Sequence, residues 1–343
     1  MTVVVKLGTS LVVGTGGRVR RQLLRARGRE IAELVRGGES VCVVSSGAIA
    51  LGLPRLGLER RPRSVPRLQA ASALGQARLQ AAWEAALAPL PVAQVLLTAA
   101  DVADRAAYVN ARNTLGALFR MRAVPVVNEN DATATDEITF GDNDALAAQV
   151  AVLVRARLLV LLTEVEGVYT RAPGTLGAEL LGEGSRAGDA ELSSASGLGR
   201  GGMQSKVLAA EMAAAAGIPT VIAAGAESSV LGPILAGEPL GTRFRPAGQA
   251  LSAYKLWLRF GKPVVGRLHV DEGARRAVVE EGRSLLAVGV ESAEGSFEAG
   301  DAVELIGPDG AGFAKGLAGA GRAEIAGRPR GLEAVHRDRL VVY

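Results

Sequence analysis

Six apolar runs recur along the first two thirds of the chain, and segments with helical periodicity separate them. The runs read VVVKL, VCVV, VLLT, PVVN, LLVLLT and TVIAA, and apolar residues fill them almost continuously instead of alternating with polar ones. Continuous apolar strands are typical of parallel sheets that helices cover on both faces. The helical segments include RQLLRARGREIAELVRGG, which ends at a Gly-Gly stop signal, and QSKVLAAEMAAAAG. The pattern predicts an α/β fold built from βαβ units.

The pattern changes after residue 246. Short strand-like pieces, KPVVGRLHV, LLAVGV, DAVELIG and LVVY, are separated by Gly, Pro and Asp turns, and GARRAVVEE predicts one short helix. Such an arrangement is typical of small β-rich domains. We therefore predict a first domain over residues 1–246, whose parallel pattern is complete by about Gly225, and a small β-rich domain over residues 250–343.

Composition narrows the class of protein further. The 343 residues suffice for two domains with their own cores, and 48% hydrophobic with 22% charged residues is a globular profile. No apolar run reaches the length of a membrane helix, so we expect a cytoplasmic protein without membrane contacts. The single cysteine, Cys42, fits a reducing compartment. A net charge of +4 is a weak sign of nucleic acid binding, because the arginines are scattered among acidic residues.

Small, polar and charged residues follow the predicted strands. Ligands of open parallel sheets bind beyond the carboxyl ends of the strands. Taken one at a time, these positions are ordinary turn residues. As a set they predict a ligand site at this edge. The set comprises Lys6 to Ser10, Ser45 to Gly47, Asn128 to Asp131, and Thr163 with Glu164.

The stretch SGLGRGGMQSK, residues 196–206, places a lysine at the start of an alanine-rich helix. It is not a P-loop, because no Gly-Lys-Ser/Thr closes the glycine spacing. Flexible amides before a helix N-terminus attract anions, and a lysine is a compact point charge that suits a phosphoryl oxygen. A solvated helix lysine is the alternative. We favour a functional role, because only five of the 39 basic residues are lysine and another, Lys6, ends the first apolar run.

The acidic residues and the histidines indicate what kind of group could accept a phosphoryl group. GDNDALAAQV places Asp142 near an N-cap and Asp144 in the first helical turn, where a carboxylate near two lysines would hold them in position. Both histidines, His269 and His336, lie in the C-terminal part, so the first domain lacks the commonest general base. A carboxylate acceptor, with a reference pKa of about 4, needs none. The residues therefore predict phosphoryl transfer to an anionic oxygen by positioning and charge neutralisation.

The motifs VVVKLGTS, VVSSGAIALG, VVNENDA, GDND, LLTEVEGVYT and SGLGRGGMQSK occur in this order over nearly the whole chain. Together they resemble the glutamate 5-kinases of the amino acid kinase family. The resemblance implies a three-layer αβα sandwich and ATP-dependent phosphorylation of the side-chain carboxylate of L-glutamate, with Mg²⁺ accompanying ATP. This reaction is the first step towards proline.

Carried over residue by residue, the resemblance implies that Lys6 and Lys206 stabilise the transferring phosphoryl group and that Asp144 organises the two lysines. It implies no protein ligand for a metal. The residues that would hold glutamate are Ser46, Asp131 and Asn143.

The resemblance also implies a nucleotide site. Two positions depart from the family pattern: Glu164 stands where Asp is usual, and Arg200 where Thr is common. The residues that would line the nucleotide site are Lys6, Thr163, Glu164, Arg200, Gly201, Gly202, Met203, Gln204, Ser205 and Lys206.

The tail, from about Tyr254 to Tyr343, resembles a PUA domain through KLWLRFG, VDEGARRAV and AVHRD. Such domains bind RNA in other proteins, so an RNA-binding or RNA-modifying protein is an open alternative. Its basic face would comprise Arg259, Lys262, Arg267, Arg275 and Arg276.

Other properties follow from the family alone. A relative that phosphorylates aspartate, acetylglutamate, carbamate or a nucleoside monophosphate is a second alternative. The family further implies a homodimer or homotetramer and feedback inhibition by proline, through residues 133–141.

Overall fold

The computed structural model describes residues 1–134, 143–182, 202–246 and 250–343. The chain forms two compact units, Met1–Ala250 and Leu251–Tyr343. We propose that these units are the two domains expected from the change of pattern after residue 246.

In the described residues, the strands of the first unit form one seven-stranded sheet in the order β3-β4-β2-β1-β5-β6-β7. Every pairing among β1 to β6 is parallel, which confirms the mainly parallel sheet. The short β7 pairs antiparallel with β6, and its three residues are too few to produce a hydrophobic pattern. The strands are β1 (Thr2–Leu7), β2 (Ser40–Ser45), β3 (Val92–Leu97), β4 (Val124–Glu129), β5 (Leu158–Thr163), β6 (Thr220–Ala224) and β7 (Thr242–Phe244).

Helices connect these strands. One long helix was expected over DVADRAAYVNARNTLGALFRM, but the structure divides it at Asp104, whose side chain accepts from the Ala107 amide and starts a new helix. The helices are α1 (Thr9–Val12), α2 (Arg21–Arg36), α3 (Ala48–Gly52), α4 (Val65–Leu87), α5 (Ala99–Ala103), α6 (Arg105–Arg120), α7 (Asn143–Leu153), α8 (Met203–Ala215) and α9 (Leu231–Ala236).

The two faces of β1 meet different helices. Val3 and Val5 belong to the same buried apolar cluster as Leu24 of α2 and Trp83 of α4. Successive side chains of a strand point to opposite faces, so Lys6 lies on the other face. Helix α7 contacts β1. The alternation therefore directs Lys6 away from the apolar cluster that contains α2 and α4.

Helices α3 and α4 touch through their backbones. A Cβ atom on Gly52 would lie 1.8 Å from the carbonyl oxygen of Ala71 in α4, so only glycine fits. This contact holds the chain after β2 directly against α4.

The second unit is the predicted β-rich domain. Its six described strands form a mainly antiparallel sheet in the order β10-β8-β11-β12-β13-β9, with β8 and β11 parallel. The segment GARRAVVEE contributes to α11, whose first turn is capped by Asp271. Strand β12 was not expected, because its sequence GFAKGLA contains two glycines. The elements are α10 (Ala253–Leu256), β8 (Gly266–Val270), α11 (Glu272–Val279), β9 (Leu285–Leu286), β10 (Val290–Gly295), β11 (Ala302–Ile306), β12 (Gly312–Ala318), α12 (Arg322–Ala326) and β13 (Glu333–Val342).

Within the described ranges, no helix combines the length and the apolar character needed to cross a membrane.

Candidate active site

Two lysines share one buried carboxylate. Lys6 near the end of β1 contacts Oδ1 of Asp144, and the Nζ of Lys206 donates to Oδ2 of the same residue at 3.1 Å. The exposed fractions of Lys6, Asp144 and Lys206 are 4%, 1% and 5%. Asp144 lies in the first turn of α7 and Lys206 in the first turns of α8, so three separate elements meet here. The structure thus brings together the three residues expected to be catalytic.

The charges around Asp144 keep it ionised. Burial alone would raise the pKa of its carboxyl group, but Lys6, Lys206 and the hydrogen bonds from Lys6 and Ser205 outweigh burial and lower the pKa to about 2. The described residues thus place two ammonium groups at one buried carboxylate. A phosphate group brought to this place would therefore find opposite charge in a region shielded from water.

Ser205 is the fourth member of this group. Its hydroxyl donates to Oδ2 of Asp144 at 2.8 Å and lies 3.0 Å from the carbonyl oxygen of Gly202. Gly202 is the N-cap of α8 and has no side chain that could occupy the first amides of that helix, which attract anions.

A chain of amide side chains begins next to Asp144. The Nδ2 of Asn143 donates to Oγ of Ser46 and to Oδ1 of Asn128, both at 3.0 Å. The Nδ2 of Asn128 donates to Oε1 of Gln76 in α4 at 2.7 Å. The expected glutamate-binding residues Ser46 and Asn143 are therefore in direct contact, and the chain links them to α4.

Asp131 also reaches α4. Its Oδ2 accepts a 2.5 Å hydrogen bond from Ser72, one turn before Gln76. Burial raises the pKa of Asp131, and the Ser72 hydrogen bond and the charge of Arg61 oppose that rise. A cation next to Asp131 would compensate for the lost hydration of its carboxylate.

The expected nucleotide residues occupy two places. Thr163 ends β5, and its neighbour Leu162 pairs with Leu7 of β1, so Thr163 lies beyond the same edge as Lys6. Glu164 is exposed and follows it directly. The other described residues, Gly202, Met203, Gln204 and Ser205, form the start of α8 with Lys206. Arg200, Gly201, Asp142 and residues 135–141 lie outside the described residues.

Sequence reasoning missed Ser72 and Gln76 as members of the site, and it included Asn128 among the residues after the strands without giving it a role. Ser72 and Gln76 lie one helical turn apart on the buried face of α4, which otherwise carries apolar residues such as Leu79 and Trp83. Two polar residues at i and i+4 on an apolar helix face are the signal that could have revealed them.

Comparisons with known proteins identify two families of domains in the chain. The model of the amino acid kinase family matches residues 1–224, and the model of the PUA domain matches residues 266–337. The chain is 46% identical to a protein of Gloeobacter violaceus named glutamate 5-kinase, over 99% of both chains. It is also 46% identical to a Myxococcus xanthus protein of the same name, over 99% of this chain and 96% of the relative.

Solved structures show the same fold. Carbamate kinase from Giardia lamblia, bound to AMP-PNP, superposes with a TM-score of 0.54 at 16% identity, covering 72% of this chain and 98% of that one. At that identity the likeness concerns the fold alone. The full-length similarity and the family model carry the assignment: this chain belongs to the amino acid kinase family and, within it, to the glutamate 5-kinases.

Proposed function

We propose that this protein transfers the γ-phosphoryl group of ATP to the side-chain carboxylate of L-glutamate and forms L-glutamyl 5-phosphate, the first step of proline biosynthesis. The observation that carries the proposal is the pair of buried lysines, Lys6 and Lys206, on the single carboxylate of Asp144. The names of the full-length relatives support glutamate as the acceptor.

The reaction needs no proton transfer. An oxygen of the glutamate γ-carboxylate attacks the γ-phosphorus, the bond from phosphorus to the β,γ-bridging oxygen breaks, and ADP leaves with the bonding electrons. Lys6 and Lys206 neutralise the charge that builds up on the transferring group and on the leaving oxygen. Asp144 holds both ammonium groups in place before substrate binds, which avoids reorganisation during the reaction.

Ser46, Asp131 and Asn143 hold glutamate in this proposal. The nucleotide is lined by Thr163, Glu164 and the residues from 200 to 206. Among these, Ser205 holds the carboxylate of Asp144 between the two lysines.

Mg²⁺ accompanies ATP in the proposal. Among the described residues, no three His, Cys, Asp or Glu side chains cluster closely enough to hold a metal ion. Mg²⁺ usually binds substrate phosphates and keeps several waters, so in this proposal the nucleotide itself would hold the ion. When bound, the ion would neutralise charge on the phosphates.

No second function is proposed. The RNA-binding alternative requires a basic face on the second unit, but Arg267 pairs with Glu304 at 3.4 Å and Arg275 with Glu272 at 3.3 Å. Lys262 donates to the Gly300 carbonyl at 2.8 Å. The two carboxylates offset part of the charge of Arg267 and Arg275, which lowers the charge available to a phosphate backbone. Assembly as a homodimer or homotetramer and inhibition by proline remain proposals from the family.

The test is a coupled ADP-release assay with a panel of acceptors. Purified protein with ATP and Mg²⁺ should turn over with L-glutamate, and hydroxylamine should trap the acyl phosphate as a hydroxamate. The panel includes aspartate, N-acetylglutamate, carbamate and a nucleoside monophosphate, and a parallel series adds proline. Turnover with one of these acceptors and none with glutamate would refute the proposal.

A further inference from the structure

In the described part of the chain, three buried side-chain atoms on α4 or in contact with it lack a hydrogen bond. Two of them belong to residues of the candidate site, Gln76 and Asp131, and the third is Oε1 of Gln80. Gln76 and Asp131 are 8% and 5% exposed. In the described part of the chain, Nε2 of Gln76 and Oδ1 of Asp131 lack a hydrogen bond. Native proteins rarely leave buried polar atoms unpaired, and such atoms call for a specific explanation. One of these two atoms is a donor and the other an acceptor.

The direction of the Gln76 amide is fixed by a backbone group. The Glu129 amide N–H donates to Oδ1 of Asn143 at 3.2 Å, so the Nδ2 of Asn143 must point to Oδ1 of Asn128. The Nδ2 of Asn128 then points to Oε1 of Gln76. Reversing any one amide would set two donors or two acceptors against each other. This row of side-chain amides therefore ends in an N–H of Gln76 that donates no hydrogen bond to the described residues.

This donor lies away from the phosphoryl-transfer centre. The row of hydrogen-bonded amides starts at Asn143, the neighbour of Asp144, and continues through Asn128 to Gln76. Asp131 reaches the same helix through Ser72, one turn before Gln76. The unpaired donor and the unpaired acceptor thus belong to residues linked to the same stretch of α4, with the side chain of Asn128 between Gln76 and Asn143, the neighbour of Asp144.

We propose that Gln76 binds the amino-acid end of the acceptor: its Nε2 donates to the α-carboxylate, while Oδ1 of Asp131 accepts from the α-ammonium group. The inference rests on the proposed function, because it places the γ-carboxylate at the lysines. It makes Gln76 a specificity residue that selects acceptors with a carboxylate at the α-carbon. A purely structural role, in which Gln76 only accepts from Asn128, is the competing explanation.

Two substitutions separate these explanations. Gln76→Leu removes both the donor and the acceptor, whereas Gln76→Glu keeps an acceptor for Asn128 and replaces the donor by a second acceptor oxygen. We expect Gln76→Leu to raise the KM for glutamate roughly 10- to 100-fold, as expected for a lost hydrogen bond to a charged group. The KM for ATP should stay within about twofold, because the residue is remote from the nucleotide. At pH 8, Gln76→Glu should be more damaging than Gln76→Leu, because its carboxylate repels the α-carboxylate.

The matched control is Gln80→Leu, one turn later on α4. Gln80 is half-buried, its Nε2 donates to Glu84 at 3.2 Å, and its Oε1 lacks a hydrogen bond among the described residues, but it has no link to the row of amides. It should leave both KM values unchanged. An effect of Gln76→Glu smaller than that of Gln76→Leu would overturn the proposal in favour of the structural role. An unchanged KM for glutamate, or equal rises in both KM values with a lower melting temperature, would overturn it too.

Calorimetric titration with L-glutamate in the absence of ATP makes the same comparison without turnover. Wild type that binds glutamate but does not phosphorylate it refutes only the proposed reaction, and the order of the two variants still tests Gln76. Wild type that neither binds nor phosphorylates glutamate refutes both.

Discussion

Gly75 of α4 lies against Ala48 of α3 so closely that a Cβ atom on the glycine would be 1.8 Å from the alanine carbonyl oxygen. Gly75 sits directly before Gln76, and Ala48 follows Ser46 and Gly47. The contact therefore sets the distance between the helix that carries Ser72 and Gln76 and the loop that carries Ser46. No side chain fits at position 75 without moving one of the two helices apart from the other.

We expect Gly75→Ala to destabilise the protein, because its methyl group would displace backbone rather than a flexible side chain. The cost of overpacking is about 1–3 kcal/mol or more. The KM for glutamate should rise as well, since α3 and α4 both border the acceptor site. Denaturant unfolding and steady-state kinetics measure the two effects.

The matched control is Gly116→Ala in α6. A Cβ there would meet only the end of the Arg120 side chain, at 3.5 Å. Alanine is the better helix former, so this variant should gain about 0.5–1 kcal/mol. A Gly75→Ala protein as stable as Gly116→Ala would show that α3 and α4 can separate without cost.

Lys206→Arg should be nearly as damaging as Lys206→Ala. The planar guanidinium is larger than the ammonium group and favours a two-point partner, whereas Lys206 is buried against one oxygen of Asp144. Either variant should lower kcat by roughly 10²–10³, by analogy with loss of one transition-state donor.

The coupled assay measures this loss, and Lys255→Arg in the second unit is the charge-conserving control that should keep normal turnover. Near-normal kcat in Lys206→Arg would mean that any positive charge at position 206 suffices for catalysis, whatever the shape of the side chain.

The lowered pKa of Asp144 predicts a specific dependence of the unfolding free energy on pH. Its folded-state pKa of about 2 lies below the unfolded value of about 4, so its stabilising contribution is complete above pH 4 and is lost as pH falls towards 2. Asp144→Asn removes the carboxylate charge that both buried ammonium groups contact, at a cost of about 3–5 kcal/mol. The difference in unfolding free energy between wild type and Asp144→Asn should be constant from pH 7 to 5 and narrow below pH 4.

Denaturant titrations at pH 7, 5, 4 and 3 give this difference. If it changes between pH 7 and 5 instead, the carboxyl group of Asp144 titrates at a much higher pH than its lysine partners imply.

The sequence predicted the sheet and the lysine pair for a clear physical reason. Each parallel strand is a continuous apolar run, and the carboxyl ends of such strands meet at one edge, so Lys6 and the residues after β2, β4 and β5 had to lie together. Lys206 was recognisable because lysine is rare in this chain. Asp144 followed from its position between these elements.

The rest of the site depends on tertiary contacts that no local pattern encodes. Ser72 and Gln76 belong to a helix placed by the glycine contact with α3, and their partners Asp131 and Asn128 are more than fifty residues away. The break at Asp104 was not predicted because the apolar positions keep a helical period on both sides of it. The capping hydrogen bond from the Ala107 amide to Asp104 depends on a local turn that this period does not reveal. Both errors concern side-chain hydrogen bonds rather than hydrophobic patterning.

The last prediction concerns the division of labour between the two units. Each has a buried apolar cluster of its own: one includes Val3, Trp83 and Ile234, and the other includes Leu268 and Leu340. Every residue with a proposed chemical role lies between Lys6 and Lys206, in the first unit. A chain of that length buries enough apolar surface to fold alone. We therefore expect residues 1–246, expressed without the second unit, to fold and to retain glutamate-dependent ATP turnover.

Cooperative thermal unfolding of the truncated chain is the necessary control, because an unfolded product would be inactive for a trivial reason. The KM values for glutamate and ATP should stay within about threefold of the full-length values, since all binding groups in the proposal remain. Assembly or the response to Mg²⁺ can change without affecting this expectation. A truncated protein that unfolds cooperatively yet shows no turnover at saturating glutamate and ATP would place part of the active site in the second unit. The lysine pair on Asp144 would then be insufficient for catalysis, because a group beyond residue 246 would have to contact substrate or hold the first unit in its active form.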